Sequence, residues 1–123
     1  MKQCILLSIL FCLMVPAIAQ NGTSCPCDYP SINFKDNSLA ISNDAKTILN
    51  AAAKKLKAAP DCSIQFTGYP DTRKSAQALC NKRLESLKRY FIEICGISAD
   101  RIQVNCIFDL KEDRNIVAIK CDE

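Results

Sequence analysis

The sequence of 123 residues contains no histidine and no tryptophan. Serine and cysteine hydrolases commonly use a histidine to activate the nucleophile, so that chemistry is excluded, as are imidazole ligation of a metal and stacking on an indole ring. A strong charge bias is also missing, because 16 basic and 13 acidic residues leave a net charge of only +3. The composition therefore indicates neither a common hydrolase nor a nucleic-acid-binding protein, and we expect no enzymatic activity.

Length and composition predict one globular domain. Apolar residues make up 49% of the chain and charged residues 24%, which is close to the average for folded proteins. Residues 20–30 contain turn formers and two prolines without any periodicity, so they are predicted to form an N-terminal linker or arm. The regular pattern begins at residue 31, and we expect the domain to span residues 31–121.

The first 19 residues have the pattern of a secretory signal peptide. One lysine precedes an apolar run at residues 5–15, and the small-residue triplet at 17–19 provides a cleavage site. A membrane anchor is the alternative, but the run is shorter than the ~20 apolar residues that span a bilayer. A lipoprotein signal needs a small residue before the modified cysteine, whereas Phe11 precedes Cys12. We therefore predict a cleaved signal peptide at residues 1–19, no lipid anchor and no membrane span after cleavage.

Cysteines are numerous beyond the predicted cleavage site. In an exported chain they favour disulfides, and an odd number leaves one unpaired. The Cys25-Pro26-Cys27 motif has no second cysteine pair and no histidine beside it, so we expect no metal and no cofactor. A thiol-disulfide enzyme using Cys25 and Cys27 is a further alternative, but the CxxC setting that lowers a thiol pKa is absent. The spacing does not determine the pairing. The seven cysteines are Cys25, Cys27, Cys62, Cys80, Cys95, Cys106 and Cys121.

Hydrophobic periodicity predicts four strands and two helices. The strands are expected at 31–34, 63–67 (closed by Gly68), 102–106 and 116–119, the last of them buried on both faces. A helix over residues 43–58 is expected to be capped by Ser42 or Asn43, and a longer one over residues 74–95 to end at Gly96. The order β-α-β-α-β-β predicts an α+β or α/β sandwich with helices packed on a mixed sheet.

A charged residue interrupts the apolar face of the second predicted helix. Leu79, Leu87, Tyr90 and Ile94 form an apolar stripe, and Arg83 lies on it, four residues after Leu79 and four before Leu87. A guanidinium stays protonated and is costly to desolvate, so we expect it to find an anion there.

Asp71 is the candidate neighbour of Arg83, because it follows the second strand in the turn Gly68-Tyr69-Pro70-Asp71. Two interpretations are open. In the first, Arg83 pairs with Asp71 or extends to water and only holds the helix to the turn. In the second, Arg83 and Asp71 line a crevice and bind a zwitterion. In the second case Arg83 binds a carboxylate bidentately while Asp71 accepts from an ammonium group. Arg73 and Lys74 add local positive charge, which a solvated turn explains equally well.

Several short motifs occur in the order seen in the OmpA-like family, which the chain resembles over residues 31–120. They are Ile32-Asn33-Phe34, Gly68-Tyr69-Pro70-Asp71, the helical segment from Leu79 to Leu84, the segment from Gly96 to Ile102 and the closing strand from Ile116 to Ile119. The chain departs from the family pattern at Pro70, Cys80 and Leu84, where threonine, serine and alanine are usual, and Asp113 to Ile116 is only similar to the family's N-R-R-V.

The resemblance implies both a fold and a function. It implies an α+β two-layer sandwich of the order β-α-β-α-β-β and non-covalent binding of peptidoglycan through the diaminopimelate of the stem peptide. Asp71 occupies the family position that meets the ligand's ammonium, and Arg83 the position that meets its carboxylate. Tyr69 and Pro70 complete the expected site.

The function expected from this resemblance is that of an exported protein of the periplasm or cell envelope. Peptidoglycan is the expected partner, with envelope proteins as further candidates. The alternative is a divergent member that has lost the ligand and serves as a disulfide-stapled protein-interaction module.

Overall fold

The computed structural model describes Cys25 and residues 28–122. The predicted signal peptide at residues 1–19 lies outside the described residues, as does most of the predicted arm at residues 20–30. In the described part of the chain, no helix has the length and apolar character needed to cross a bilayer.

The observed elements follow the predicted order. Strands are β1 (Ile32–Asn33), β2 (Ser63–Gly68), β3 (Ile102–Cys106) and β4 (Ile116–Asp122), and the helices are α1 (Asn43–Ala58) and α2 (Lys74–Glu93). A single 3-10 turn over Ala99–Arg101, which the sequence pattern did not predict, precedes β3.

The four strands form one mixed sheet in the order β1-β4-β2-β3. β4 is antiparallel to both of its neighbours, whereas β2 and β3 are parallel and are connected through α2. Phe66 of β2 faces Val104 on one side and Ile119 on the other. The fold is therefore α+β, with two helices packed on a mixed sheet, as expected.

Helix α1 begins and ends where the sequence predicted. Of the two candidate caps, Ser42 is the N-cap, and its hydroxyl accepts a hydrogen bond of 3.1 Å from the backbone N–H of Ala45. The buried face of α1 consists of small and aliphatic residues, which allows close approach to the sheet. These are Ala45, Leu49, Ala52, Ala53 and Leu56.

Helix α2 ends at Glu93, two residues before the predicted end, and Gly96 then adopts a φ of +75°. The predicted apolar stripe is partly wrong, because Ile94 follows the last helical residue and is 67% exposed. Leu79 and Tyr90 are only half-buried. The buried face is rotated relative to that stripe and contains Cys80, Arg83, Leu84, Leu87 and Phe91. Arg83 thus lies on the buried face, as its spacing indicated.

Strand β4 alternates between buried and half-buried residues, so the prediction that it is buried on both faces is wrong. Val117 and Ile119 are buried, whereas Ile116 and Ala118 are half-buried and Lys120 is exposed. The reason is the layer arrangement: a two-layer sandwich has helices against one face of its sheet only, and that arrangement produces an alternating pattern.

Disulfides connect separate parts of the fold, as the cysteine content predicted. Cys25 is bonded to Cys62, just before β2, and Cys80 of α2 is bonded to Cys106 at the end of β3. Cys121 is disulfide-bonded as well. Among the cysteines in the described residues, Cys95 is the free one and is buried.

Candidate functional site

The turn between β2 and α2 presents three of the predicted site residues. Tyr69 is half-buried, Pro70 is buried, and the side chain of Asp71 is 37% exposed. The turn starts at Gly68, where a Cβ atom would lie 2.5 Å from the Sγ of Cys80. Only glycine therefore allows the end of β2 to lie this close to the Cys80–Cys106 disulfide, which fixes the start of the turn against α2.

The carboxylate of Asp71 is bound by Arg73, two residues later. The backbone N–H of Arg73 donates to Oδ1 over 3.0 Å, its Nε donates to both carboxylate oxygens, and its Nη2 donates to Oδ2 over 2.7 Å. Arg114 lies farther away, with Nη1 at 3.8 Å from Oδ2. The hydrogen bonds from Arg73 lower the pKa of Asp71 to about 2, so this carboxylate is ionised at neutral pH.

The guanidinium of Arg83 is buried, with the residue 2% exposed, and it joins three segments of the chain. Its Nε donates to the carbonyl of Ser38 and its Nη2 to the carbonyl of Lys35, both over 2.8 Å. Its Nη1 donates to the carbonyl of Arg114 over 3.3 Å and to Oδ1 of Asn115 over 3.1 Å. The guanidinium carbon also lies 4.8 Å from the centre of the Phe34 ring.

These contacts correct the expectation that Arg83 finds an anion or extends to water. Its acceptors in the described residues are neutral: three backbone carbonyls and one side-chain amide. Carbonyl dipoles converging on one point can satisfy a buried cation without a carboxylate. Burial lowers the pKa of Arg83, while the charges of Asp36 and Asp113 act in the opposite direction.

Four hydrogen bonds leave one of the five guanidinium N–H groups for a further acceptor. The bidentate grip on a ligand carboxylate expected from the sequence is therefore not available to Arg83 by itself. Any additional contact to a carboxylate must come from neighbouring side chains.

Such neighbours surround a groove of about 590 Å³, here called the basic groove, whose charged lining residues are Arg73, Lys82, Arg83 and Arg114. No acidic side chain is among the described residues that line it. Four cations facing one concave surface favour an anionic ligand.

Asp71 does not line the basic groove, but it follows Pro70 and accepts a hydrogen bond from Arg73, and both of those residues line it. Pro70 lines the basic groove and also two smaller grooves, both of which contain Asp71. Tyr69 lines the smaller of these, of about 220 Å³, together with Phe108. The structure thus brings Arg83 and Pro70 into one groove and places Asp71 and Tyr69 at its margin, while Arg114 lines grooves on both sides.

The role of Arg73 as the partner of Asp71 was not predicted from the sequence. A signal was present, because an aspartate that accepts from the backbone N–H two residues later is a common turn motif, and it places the two side chains together. Arg101 was also missed; its guanidinium donates to the carbonyls of Leu56, Ala59 and Cys62 and holds the end of α1 against the start of β2.

The sequence profile of the OmpA family matches residues 33–109, which is more than half of the chain. The chain belongs to the OmpA family. The match includes both helices, β2, β3 and the turn that carries Asp71, so most of the site described above lies within it, whereas Arg114 and Asn115 lie beyond it. No curated protein sequence matches this OmpA-family chain.

Solved structures of OmpA-like domains share the fold. The peptidoglycan-associated lipoprotein from Burkholderia pseudomallei has a TM-score of 0.62 and 19% identity, covering 83% of this chain and 95% of its own. The OmpA-like domain of FopA1 from Francisella tularensis has a TM-score of 0.62 and 15% identity, covering 75% and 69%. The C-terminal domain of Helicobacter pylori MotB has a TM-score of 0.59 and 16% identity, covering 78% and 86%.

Proposed function

We propose that this OmpA-family chain is an exported protein of the cell envelope that binds peptidoglycan non-covalently, through the diaminopimelate of the stem peptide. Membership of the family supports the proposal, as does the shared fold with a protein named for its association with peptidoglycan. The observation that carries the proposal is that positively and negatively charged side chains both lie close to Pro70. Pro70 lines both the groove with four cationic side chains and the smaller grooves that contain the carboxylate of Asp71.

The proposed binding uses both ends of the zwitterionic diaminopimelate centre. Asp71 accepts hydrogen bonds from the ammonium group, and the carboxylate enters the basic groove. There it meets the one remaining N–H of Arg83 and the side chains of Lys82 and Arg114. Tyr69 and Pro70 form the apolar part of the site.

The proposed function includes no reaction on the cell wall. A general base works best with a pKa near the operating pH, whereas the pKa of Asp71 is about 2. The carboxylate is suited to attract a cation and is a weak proton acceptor at neutral pH.

A pulldown with insoluble peptidoglycan tests the proposal. The wild-type mature chain should be retained, and Asp71→Asn should reduce retention by at least about tenfold, as expected for loss of one charge-assisted contact. Asp61→Asn is the matched control, because Asp61 is an exposed aspartate in the turn before β2, at the opposite end of that strand from the site turn. Equal retention of wild type and Asp71→Asn would rule out the proposed site.

The second candidate function is that of a disulfide-stapled interaction module without peptidoglycan binding. The observation in its favour is that both ligand-binding groups are already engaged, Asp71 by Arg73 and Arg83 by four protein acceptors. Absence of retention by the wild-type chain would favour this function. Export itself is tested separately by N-terminal sequencing of the mature protein, which should begin at Gln20.

A further inference from the structure

We propose that Arg73 competes with the ligand for Asp71. Its guanidinium binds the carboxylate of Asp71 in the free protein and leaves it when the ammonium group of the ligand binds. This inference rests on the proposed function and extends it, because it names the residue that sets the affinity of the site.

The geometry of the pair supports the proposal. The Nε and Nη2 atoms of Arg73 contact both carboxylate oxygens of Asp71 at 2.7 to 3.0 Å. Three N–H groups of Arg73 already donate to this carboxylate, which has about four lone-pair sites, so an ammonium group gains full hydrogen bonding only where the guanidinium gives way. The two groups therefore bind in exchange for one another.

Arg73 is free to make this exchange. Its side chain is 60% exposed, and within the described part of the chain its guanidinium hydrogen-bonds to Asp71. The backbone N–H of Arg73 donates separately to Oδ1 of Asp71, and this bond holds the carboxylate in place when the guanidinium leaves. Displacement thus requires a side-chain rotation and no change in the fold.

The direction of the expected effect separates this mechanism from general electrostatics. Peptidoglycan stem peptides carry carboxylates, so removing any exposed cation from the chain should weaken binding or leave it unchanged. Removing Arg73 should instead strengthen binding, because Asp71 is then unoccupied before the ligand arrives. A gain in affinity on loss of a positive charge is the opposite of what attraction between the basic groove and the ligand's carboxylates predicts.

The experiment is calorimetric titration with a soluble disaccharide-tetrapeptide fragment of peptidoglycan that contains diaminopimelate. Arg73→Gln should bind about fivefold more tightly than the wild type, the order expected for one well-formed exposed ion pair. Arg89→Gln is the control, because Arg89 is an exposed arginine farther along α2 and lines a different groove. It should bind like the wild type or more weakly. Asp71→Asn should abolish binding.

A second measurement tests the contact without any ligand. In an NMR titration the pKa of Asp71 should rise from about 2 towards its ordinary value of 3.8 in Arg73→Gln and should stay about 2 in Arg89→Gln. An unchanged Asp71 pKa in Arg73→Gln would overturn the proposal, because the two side chains would then not be paired in solution.

The outcomes distinguish this inference from the proposed function. If the wild type binds and Arg73→Gln binds equally or more weakly, Arg73 is no competitor, while peptidoglycan binding stands. If only Arg73→Gln binds, the competitor is confirmed and masks the site completely. If neither binds the fragment, both the inference and the proposed function are overturned.

Discussion

Replacing Arg83 by alanine should strongly destabilise the fold, because this residue is a clamp between three segments. Its guanidinium connects α2 to the loop after β1, through Lys35 and Ser38, and to the residues before β4, through Arg114 and Asn115. Alanine would leave three backbone carbonyls and one amide oxygen without this donor.

The magnitude follows from the number and burial of these bonds. Each hydrogen bond from a charged donor contributes about 1.5–3 kcal/mol net, but the four are not additive, and removing the cation also removes its own desolvation cost. We expect the free energy of unfolding to fall by about 3–5 kcal/mol, because several neutral acceptors lose their donor at once, and each unsatisfied buried acceptor costs about 1–3 kcal/mol. That is a large share of the roughly 5–15 kcal/mol that stabilises a typical domain.

Urea unfolding followed by circular dichroism, without reductant, measures this loss. Arg83→Lys should also be destabilised, because a single ammonium nitrogen does not reach all four acceptors on the two segments that the guanidinium joins to α2. Lys82→Ala is the control: it removes an exposed neighbour on the same helix and should change stability by less than about 0.5 kcal/mol. A loss below about 1 kcal/mol for Arg83→Ala would refute the clamp and would mean that the guanidinium is available to a ligand.

Three further predictions concern acid, packing and thiol chemistry. The pKa of Asp71 is lowered from 3.8 to about 2 in the folded chain. The contribution of the ionised carboxylate to stability is therefore complete above about pH 4 and is lost as the pH falls towards 2. The urea midpoints of wild type and Asp71→Asn should differ at pH 5 and converge near pH 2. Gly68→Ala should lower the free energy of unfolding by about 1–3 kcal/mol through overpacking against Cys80. The loss should be smaller in a chain in which Cys80 and Cys106 are both replaced by alanine. An equal loss in both backgrounds would contradict the proposed contact. Burial raises the pKa of the Cys95 thiol, so iodoacetamide should label it at least about tenfold more slowly in the native chain than in urea, whereas equal rates would show that it is accessible.

Periodicity was sufficient to predict the elements, because each has one buried face. The alternation of polar and apolar residues predicted β2 and β3. The 3.6-residue period of apolar residues predicted α1 with the observed first and last residues. The four-residue apolar run of β4 was too short to show whether one face or both are buried, and only the number of layers decides that.

The candidate site was less predictable, because its hydrogen bonds depend on loops. The spacing of Arg83 placed it on the buried face, but its acceptors are main-chain carbonyls such as those of Lys35 and Ser38. Every residue carries a carbonyl, so no side-chain pattern marks those that converge on a cation. Disulfide pairing, such as that of Cys80 with Cys106, likewise depends on tertiary approach and not on spacing.

The position of β4 has a consequence for the order in which the molecule assembles. β2, α2 and β3 are consecutive and can associate as one parallel unit, whereas β1 contacts the sheet only through β4, which is the last strand along the chain. We therefore expect β1 to join the sheet only after β4 has done so. Contacts between such distant segments close large loops and slow the search for the native state, so we expect the groove between α2 and the residues around Arg114 to form late in folding.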